Sequence, residues 1–248
     1  MKYTRSEAAG HDVCKVAFLE DRETLDQVIS QARSKAPYTH LNNPSARKRT
    51  KQEVYNAQLL GTLADKACSV LLQLFLDKHA PSRYTAQRYD DVRTDEYKRP
   101  DLFDTRVVTT GGESVLAEIE IRSSVCNRIP LEPMIRTWHV LGWYVTQDKP
   151  VEKVRDFYMR PIYHYNLYDA GKAYELKDAA EHLMNGALDL YIVGGATLHI
   201  LETRGEVQRG FGLLQEGATY QVVRIRDSLG MGEFLNSVIS LCISREDS

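Results

Sequence analysis

A chain of 248 residues, 43% of them hydrophobic and 27% charged, is an ordinary globular sequence, long enough for one large domain or one with a modest appendage. The Met-Lys-Tyr-Thr-Arg start has no apolar signal region and no run of about 18 apolar residues occurs, so a cytoplasmic protein without membrane partners is expected. A net charge of −2 gives no bulk sign of nucleic-acid binding, and Cys14, Cys68, Cys126 and Cys242 form no Cys-x-x-Cys pair, which argues against structural zinc and a disulfide framework.

Residues 1–43 form a first block. It holds a short strand over Val13–Phe18 and a helix over Arg22–Ala32 with Leu25, Val28 and Ile29 on one side, and Pro37, Asn42, Asn43 and Pro44 close it. Such a block either packs on the main domain or mediates dimerisation. From Ser45 to Asp77 apolar residues recur at spacings of three and four, predicting a long helix with Gly61 as the point where it could divide. Its first turns carry Arg47, Lys48, Arg49 and Lys51, a basic cluster suited to phosphates or simply to solvent. Pro81 ends the helix. A strand over Arg83–Tyr89 and an acidic loop (Asp90, Asp91, Asp95, Glu96) come next.

The stretch Arg99–Arg122 carries the chemistry. Its second half alternates, with Ala117, Ile119 and Ile121 on one face and Leu116, Glu118, Glu120 and Arg122 on the other. Gly111-Gly112 signals a hairpin with a strand starting near Asp104, which folds Asp101 or Asp104 back towards the glutamates. A two-residue turn places Asp101 on their face, whereas a three-residue turn with a glycine bulge places Asp104 there. Carboxylates gathered on one sheet face call for a cation. With only oxygen donors at hand, Mg²⁺ or Mn²⁺ is expected.

Beyond the hairpin, the loop Ser123–Pro133 offers Asn127 and Arg128 as donors to base edges or phosphates, or as plain loop surface. A second helix is predicted over Leu131–Gln147, with Met134, Trp138, Leu141 and Val145 as its apolar stripe. A strand over Val154–Tyr165 follows, its later half demoted by Pro161. A third helix over Leu176–Leu188, a buried strand over Leu190–Gly194 parallel to its neighbour, and a strand over Thr197–Glu202 come next. The tail has a strand over Tyr220–Arg226 and a closing helix to about Ile243. The order predicts an α/β fold: a mixed central sheet flanked by helices, with an antiparallel meander at its start.

These residues resemble the PD-(D/E)XK nucleases, whose metal site is an Asp on one strand and (Asp/Glu)-x-Lys on the next. Pro100-Asp101 supplies the literal Pro-Asp, and Glu118-Ile119-Glu120 the second half with Glu in place of Lys. Val115–Arg122 with the following Ser-Ser-Val-Cys-Asn is most similar to type II restriction endonucleases of the Bam and Bgl kinds, in which Glu or Gln replaces that Lys. The resemblance implies a restriction-endonuclease-like fold, a single nuclease domain (N-terminal block 1–43, catalytic core 44–195, C-terminal strands and helix 196–248), a homodimer, and Mg²⁺-dependent hydrolysis of double-stranded DNA. It implies metal ligation by Asp104 or Asp101, by Glu118 and by the Ile119 carbonyl, with Glu120 as second-metal ligand or base and Arg122 as the nearby cation. An alternative register takes Glu120-Ile121-Arg122 as the motif. A helix carboxylate, Asp65 or Glu53, would join the site, and Asn127, Arg128, Arg47 and Lys48 would meet DNA. Two other readings stand beside this one: an oligomeric, non-specific defence effector nuclease, and a catalytically inactive DNA-binding relative.

Overall fold

The computed structural model describes residues 1–18, 21–39, 48–112, 114–127, 129–146, 152–165, 178–209 and 218–248. The chain opens on a hairpin, β1 (Lys2–Ala8) and β2 (His11–Ala17), turned by Ala9 and Gly10, both in the left-handed region as a tight two-residue turn requires. β1 carries no apolar alternation and is mostly exposed, so nothing in its sequence marks it as a strand. After α1 (Arg22–Lys35) comes α2 (Lys51–His79), which runs straight through Gly61. A capping box opens α2: Thr50 accepts from the Glu53 backbone N–H at 3.1 Å, and Glu53 accepts from that of Thr50 at 2.7 Å. By length and composition alone α2 could cross a membrane, but 56% of its most apolar window is buried within this fold.

Next come β3 (Tyr84–Arg88), the single turn α3 (Tyr89–Val92) inside the expected acidic loop, and the hairpin β4 (Thr105–Thr109) and β5 (Val115–Ile121). Gly111 and Gly112 take φ of +116° and +77° in its turn. Thr105 faces Ile119 and Val107 faces Ala117, then the register slips so that Val108 faces Val115. The slip leaves Leu116 as an extra residue and turns it into the core beside Ala117. Leu116 therefore departs from the glutamate face expected for it. Continued one step, the register brings Asp104 opposite Glu120.

The three-residue β6 (Ser124–Cys126) lies within the predicted polar loop. The predicted helix over Leu131–Gln147 is cut short: α4 (Leu131–Thr137) ends at Trp138, and β7 (His139–Thr146) follows. That stretch is rich in β-branched and aromatic residues, and pairing with a later strand overrides its helical spacing. β8 (Phe157–Tyr165) is buried along its whole length. Pro161 sits in this central strand because the ladder slips there: Met159 faces Gly195 and Pro161 faces Ile192. α5 (Ala179–Met184) is shorter than predicted, and β9 (Leu188–Thr197) is antiparallel to both of its neighbours rather than parallel. The predicted strand over Thr197–Glu202 is instead a helix, α6 (Leu198–Arg204), because Thr197 caps it by accepting from the Ile200 N–H at 3.1 Å. β10 (Glu206–Arg209), β11 (Ala218–Arg224) and α7 (Met231–Glu246) complete the chain.

The main sheet runs β1-β2-β9-β8-β5-β4-β3, with β6 joining it beside β8, and it is mixed because β5 and β8 are parallel. Helices α1, α2 and α7 cover one face through Leu25, Leu63, Leu72, Ile119, Met159 and Phe234. The other face packs against α4, α6 and a second sheet, β10-β11-β7, through Met134, Tyr158, Ile162, Leu201 and Val223. The mixed α/β architecture expected from the sequence is thus present. The N-terminal block is part of it: β2 pairs directly with β9, and α7 spends its apolar face on the core.

Candidate active site

Asp104 stands just ahead of β4 and is fixed to the end of β5, because its Oδ2 accepts the Ile121 backbone N–H at 2.6 Å. Glu120 projects from β5 on the face away from α2, while Ile119 and Ile121 fill the core. Arg122 Nη2 lies 3.4 Å from Glu120 Oε1, and Arg155 Nε lies 3.6 Å from Glu120 Oε2. Asp65 enters from the middle of α2 and takes no hydrogen bond or ion pair among the described residues.

These three acids disfavour one another's charge. Burial pushes Asp65 up to about 7, with Asp90 and Glu120 adding to the rise and Lys35 and Arg88 opposing it. Burial, then Glu120 and Asp65, lift Asp104 well above the carboxylate range, against the Ile121 N–H and Arg122. Glu120 is raised by burial and by Glu152, against Arg122 and Arg155. Carboxylates held this way gain stability from protons or from a cation.

Glu118, two residues back on the same face, behaves differently. It is bound by Lys153 at 2.7 Å and Arg155 at 2.9 Å, and although burial opposes them these two cations hold its carboxyl below the usual range. Asp101 lies in another network, paired with Arg93 and, at 3.6 Å, with Lys35. Glu53 is committed to the α2 cap. Ile119 is buried with its backbone between β4 and β8. Asn127 is half-buried, Lys48 is exposed ahead of α2, and Arg47 and Arg128 lie outside the described residues.

The segment Glu152–Asp156, just before β8, contributes groups that no motif announced. Glu152 accepts from Arg122 and from the Tyr144 N–H at 3.2 Å, and the Arg122 guanidinium lies over the Tyr144 ring at 5.0 Å. Asp156 accepts the Glu118 N–H at 2.9 Å and both terminal nitrogens of Arg245, at 2.9 and 2.7 Å, tying β5 to α7. Their one signal is the dense charge of Glu-Lys-Val-Arg-Asp against an apolar strand. Arg122 Nε is buried without a hydrogen-bond acceptor among the described residues, and Arg155 Nε, also buried, has the Glu120 carboxylate at 3.6 Å as its ion-pair partner.

The all-oxygen donor set suits a hard divalent cation. As placed, no three acidic, His or Cys side chains among the described residues lie within reach of a common ion, and Asp65 comes from the α2 side of the sheet while Glu120 projects from the other face.

No protein-family model matches the chain, and no solved structure matches it. It is similar to the uncharacterized protein MJECS01 of Methanocaldococcus jannaschii, with 28% identity over 224 residues, covering 83% of this chain and 78% of that protein.

Proposed function

We propose that the protein is a metal-dependent nuclease that hydrolyses phosphodiester bonds of double-stranded DNA. The observation that carries this reading is the placement of Asp104, fixed to the end of β5 by the Ile121 N–H and opposite Glu120, with Arg122 and Arg155 at 3.4 and 3.6 Å from the Glu120 carboxylate and Asp65 near enough to raise the pKa of Asp104. The register that fits is Asp104 with Glu120-Ile121-Arg122, because Glu118 is neutralised by Lys153 and Arg155 and is poorly placed to give its charge to a metal. Asp104 and Glu120 would hold Mg²⁺ or Mn²⁺, the Ile121 carbonyl takes the backbone role first expected of Ile119, and Asp65 is the helix acid.

When bound, such a cation polarises the phosphoryl oxygen and acidifies a water. The chain's own residues do the rest. Arg122 and Arg155, at 3.4 and 3.6 Å from the Glu120 carboxylate, would supply the positive charge that offsets the charge growing on the phosphate oxygens. Lys153 and Arg155 keep Glu118 ionised, which fixes Arg155 beside Glu120. Asp65, pushed up to about 7, is suited to accept a proton near neutral pH.

Incubation of the full chain with supercoiled plasmid and Mg²⁺ tests this proposal. Nicked or linear product that chelator abolishes and that Asp104→Asn lacks is the expected result. Defined fragments support a type II restriction enzyme, and a smear supports the non-specific effector nuclease. Intact plasmid with Mg²⁺ and with Mn²⁺ alike would leave the inactive DNA-binding relative as the better reading.

A further inference from the structure

We propose that the cavity between the end of α1 and the loop joining α3 to β4 is a nucleotide-binding pocket, in which a base packs on Tyr38 and Tyr97 and its phosphate meets Arg99 and Lys98. The pocket rests on its own geometry, and the choice of a nucleotide over another aromatic anion rests on the nuclease reading.

The cavity holds about 400 Å³, within the range of small-molecule sites. Tyr38, Tyr97, Lys35, Arg93, Lys98 and Arg99 line it, and Asp101 is the one carboxylate among its described walls. Asp101 is taken up by Arg93 and, at 3.6 Å, by Lys35. Lys35 and Arg93 also hold Asp90 and Asp95, which do not line the cavity. Lys98 and Arg99 are exposed and far less engaged: Lys98 pairs with the exposed Glu96 at 3.3 Å, and the Arg99 guanidinium makes no hydrogen bond or ion pair among the described residues. Positive charge without a buried counter-ion thus stands at the open side of the pocket.

Two rings stand beside it. Tyr38 is 52% exposed. Tyr97 is set in place by a strained turn: Glu96 and Tyr97 take φ of +51° and +64°, and the Lys98 N–H donates to the Asp95 carbonyl oxygen at 3.1 Å. Turns with two left-handed central residues favour Asn and Gly, and an aromatic residue there is an outlier that its surroundings must hold. Asp95 does so, since its carboxylate accepts the Arg99 backbone N–H at 2.9 Å and Arg93 Nη1 at 2.8 Å. Strain fixed in this way gathers at ligand sites. Here it sets the Tyr97 ring against Arg93, whose guanidinium lies 4.9 Å from the ring centre, and against Lys35 Nζ at 5.6 Å. Aromatic rings with exposed cations next to them suit a base and the phosphate attached to it. The pocket adjoins the candidate active site, because Lys35 is near enough to Asp65 to oppose the rise of its pKa.

The full chain is to be titrated in EDTA with 2′-deoxyadenosine 5′-monophosphate, 2′-deoxyadenosine and inorganic phosphate, alongside Tyr38→Ala, Tyr38→Phe and Arg99→Gln. Both substituted residues are exposed, so the variants should melt close to wild type. Wild type is expected to bind the monophosphate saturably and at least about tenfold more tightly than the nucleoside or phosphate alone. Tyr38→Ala should weaken the monophosphate by roughly tenfold, the scale of one lost base–aromatic stack, and Tyr38→Phe should bind as wild type does. Arg99→Gln should weaken the monophosphate at least about fivefold and leave nucleoside affinity unchanged, a split that a merely structural role does not produce. No saturable binding of the monophosphate, or wild-type affinity in both Tyr38→Ala and Arg99→Gln, would overturn the pocket. A single-stranded oligodeoxynucleotide that competes with the monophosphate identifies the ligand as an unpaired nucleotide of a substrate strand, and failure to compete identifies a free nucleotide. Plasmid cleavage without monophosphate binding removes the pocket and keeps the nuclease reading, whereas binding by a chain that never cuts DNA does the reverse.

Discussion

Burial makes Asp65 a destabilising residue in the metal-free protein at neutral pH. Burial pushes its pKa up to about 7, from the 3.8 of an ordinary aspartate, so the native state holds a proton that the unfolded chain has released between those two values. Its contribution is therefore fully present below about 4 and is lost as pH rises to about 7. In EDTA, Asp65→Asn should gain on wild type across that window and end more stable by on the order of 1–3 kcal/mol above it. Urea unfolding at pH 4, 5.5 and 7.5 checks this, and a constant difference would show that Asp65 is not held neutral. Arg122 should matter for rate more than for folding: Arg122→Ala should cut cleavage about 10²–10³-fold, and Arg122→Lys should retain more activity than Ala without restoring it, since an ammonium lacks the fork that lies over Tyr144. Single-turnover cleavage by the two variants measures the difference.

The elements legible in the sequence were those whose own periodicity agrees with their packing. Helix α2, with its unbroken apolar spacing, and the β4–β5 hairpin, with its glycine pair, are legible in the sequence, although the Thr50 cap that starts α2 at Lys51 is not what marks it there. Strand β7 is not legible, because its apolar spacing also fits a helix and only pairing with β11 decides for a strand. Nor is β1, whose polar sequence is held as a strand by the hairpin alone. At the site, alternation on β5 put Glu118, Glu120 and Arg122 on one face. What separates Glu118 from Glu120 are Lys153 and Arg155, which arrive from a distant loop that local patterns do not place. The choice between Asp101 and Asp104 turned on a one-residue slip at Val107 and Val108, which the sequence left open. The packing of the second sheet against the main one can be probed at Gly142, where an added Cβ would lie 2.8 Å from the Gln221 carbonyl oxygen and 2.8 Å from Leu201 Cδ1. Gly142→Ala should cost about 1–3 kcal/mol by urea denaturation, and a neutral result would mean that β11 shifts freely.

At the scale of the whole molecule, a net charge of −2 hides an uneven distribution. Arg122, just past the end of β5, and Arg155, just ahead of β8, meet Glu118, Glu120 and Glu152 at the ends of these two parallel strands. Helices cover one face of the main sheet and the second sheet the other, which holds this charged seam between rigid layers. Mn²⁺ affinity, measured by calorimetry on wild type, Asp104→Asn, Glu120→Gln and Glu118→Gln, tests most directly whether Asp104 and Glu120 hold a metal as proposed. The expected result is saturable binding by wild type, a loss of at least about tenfold in Asp104→Asn and in Glu120→Gln, and affinity close to wild type in Glu118→Gln. Loss of binding in Glu118→Gln with full binding in Glu120→Gln, or no saturable binding by wild type, would contradict it.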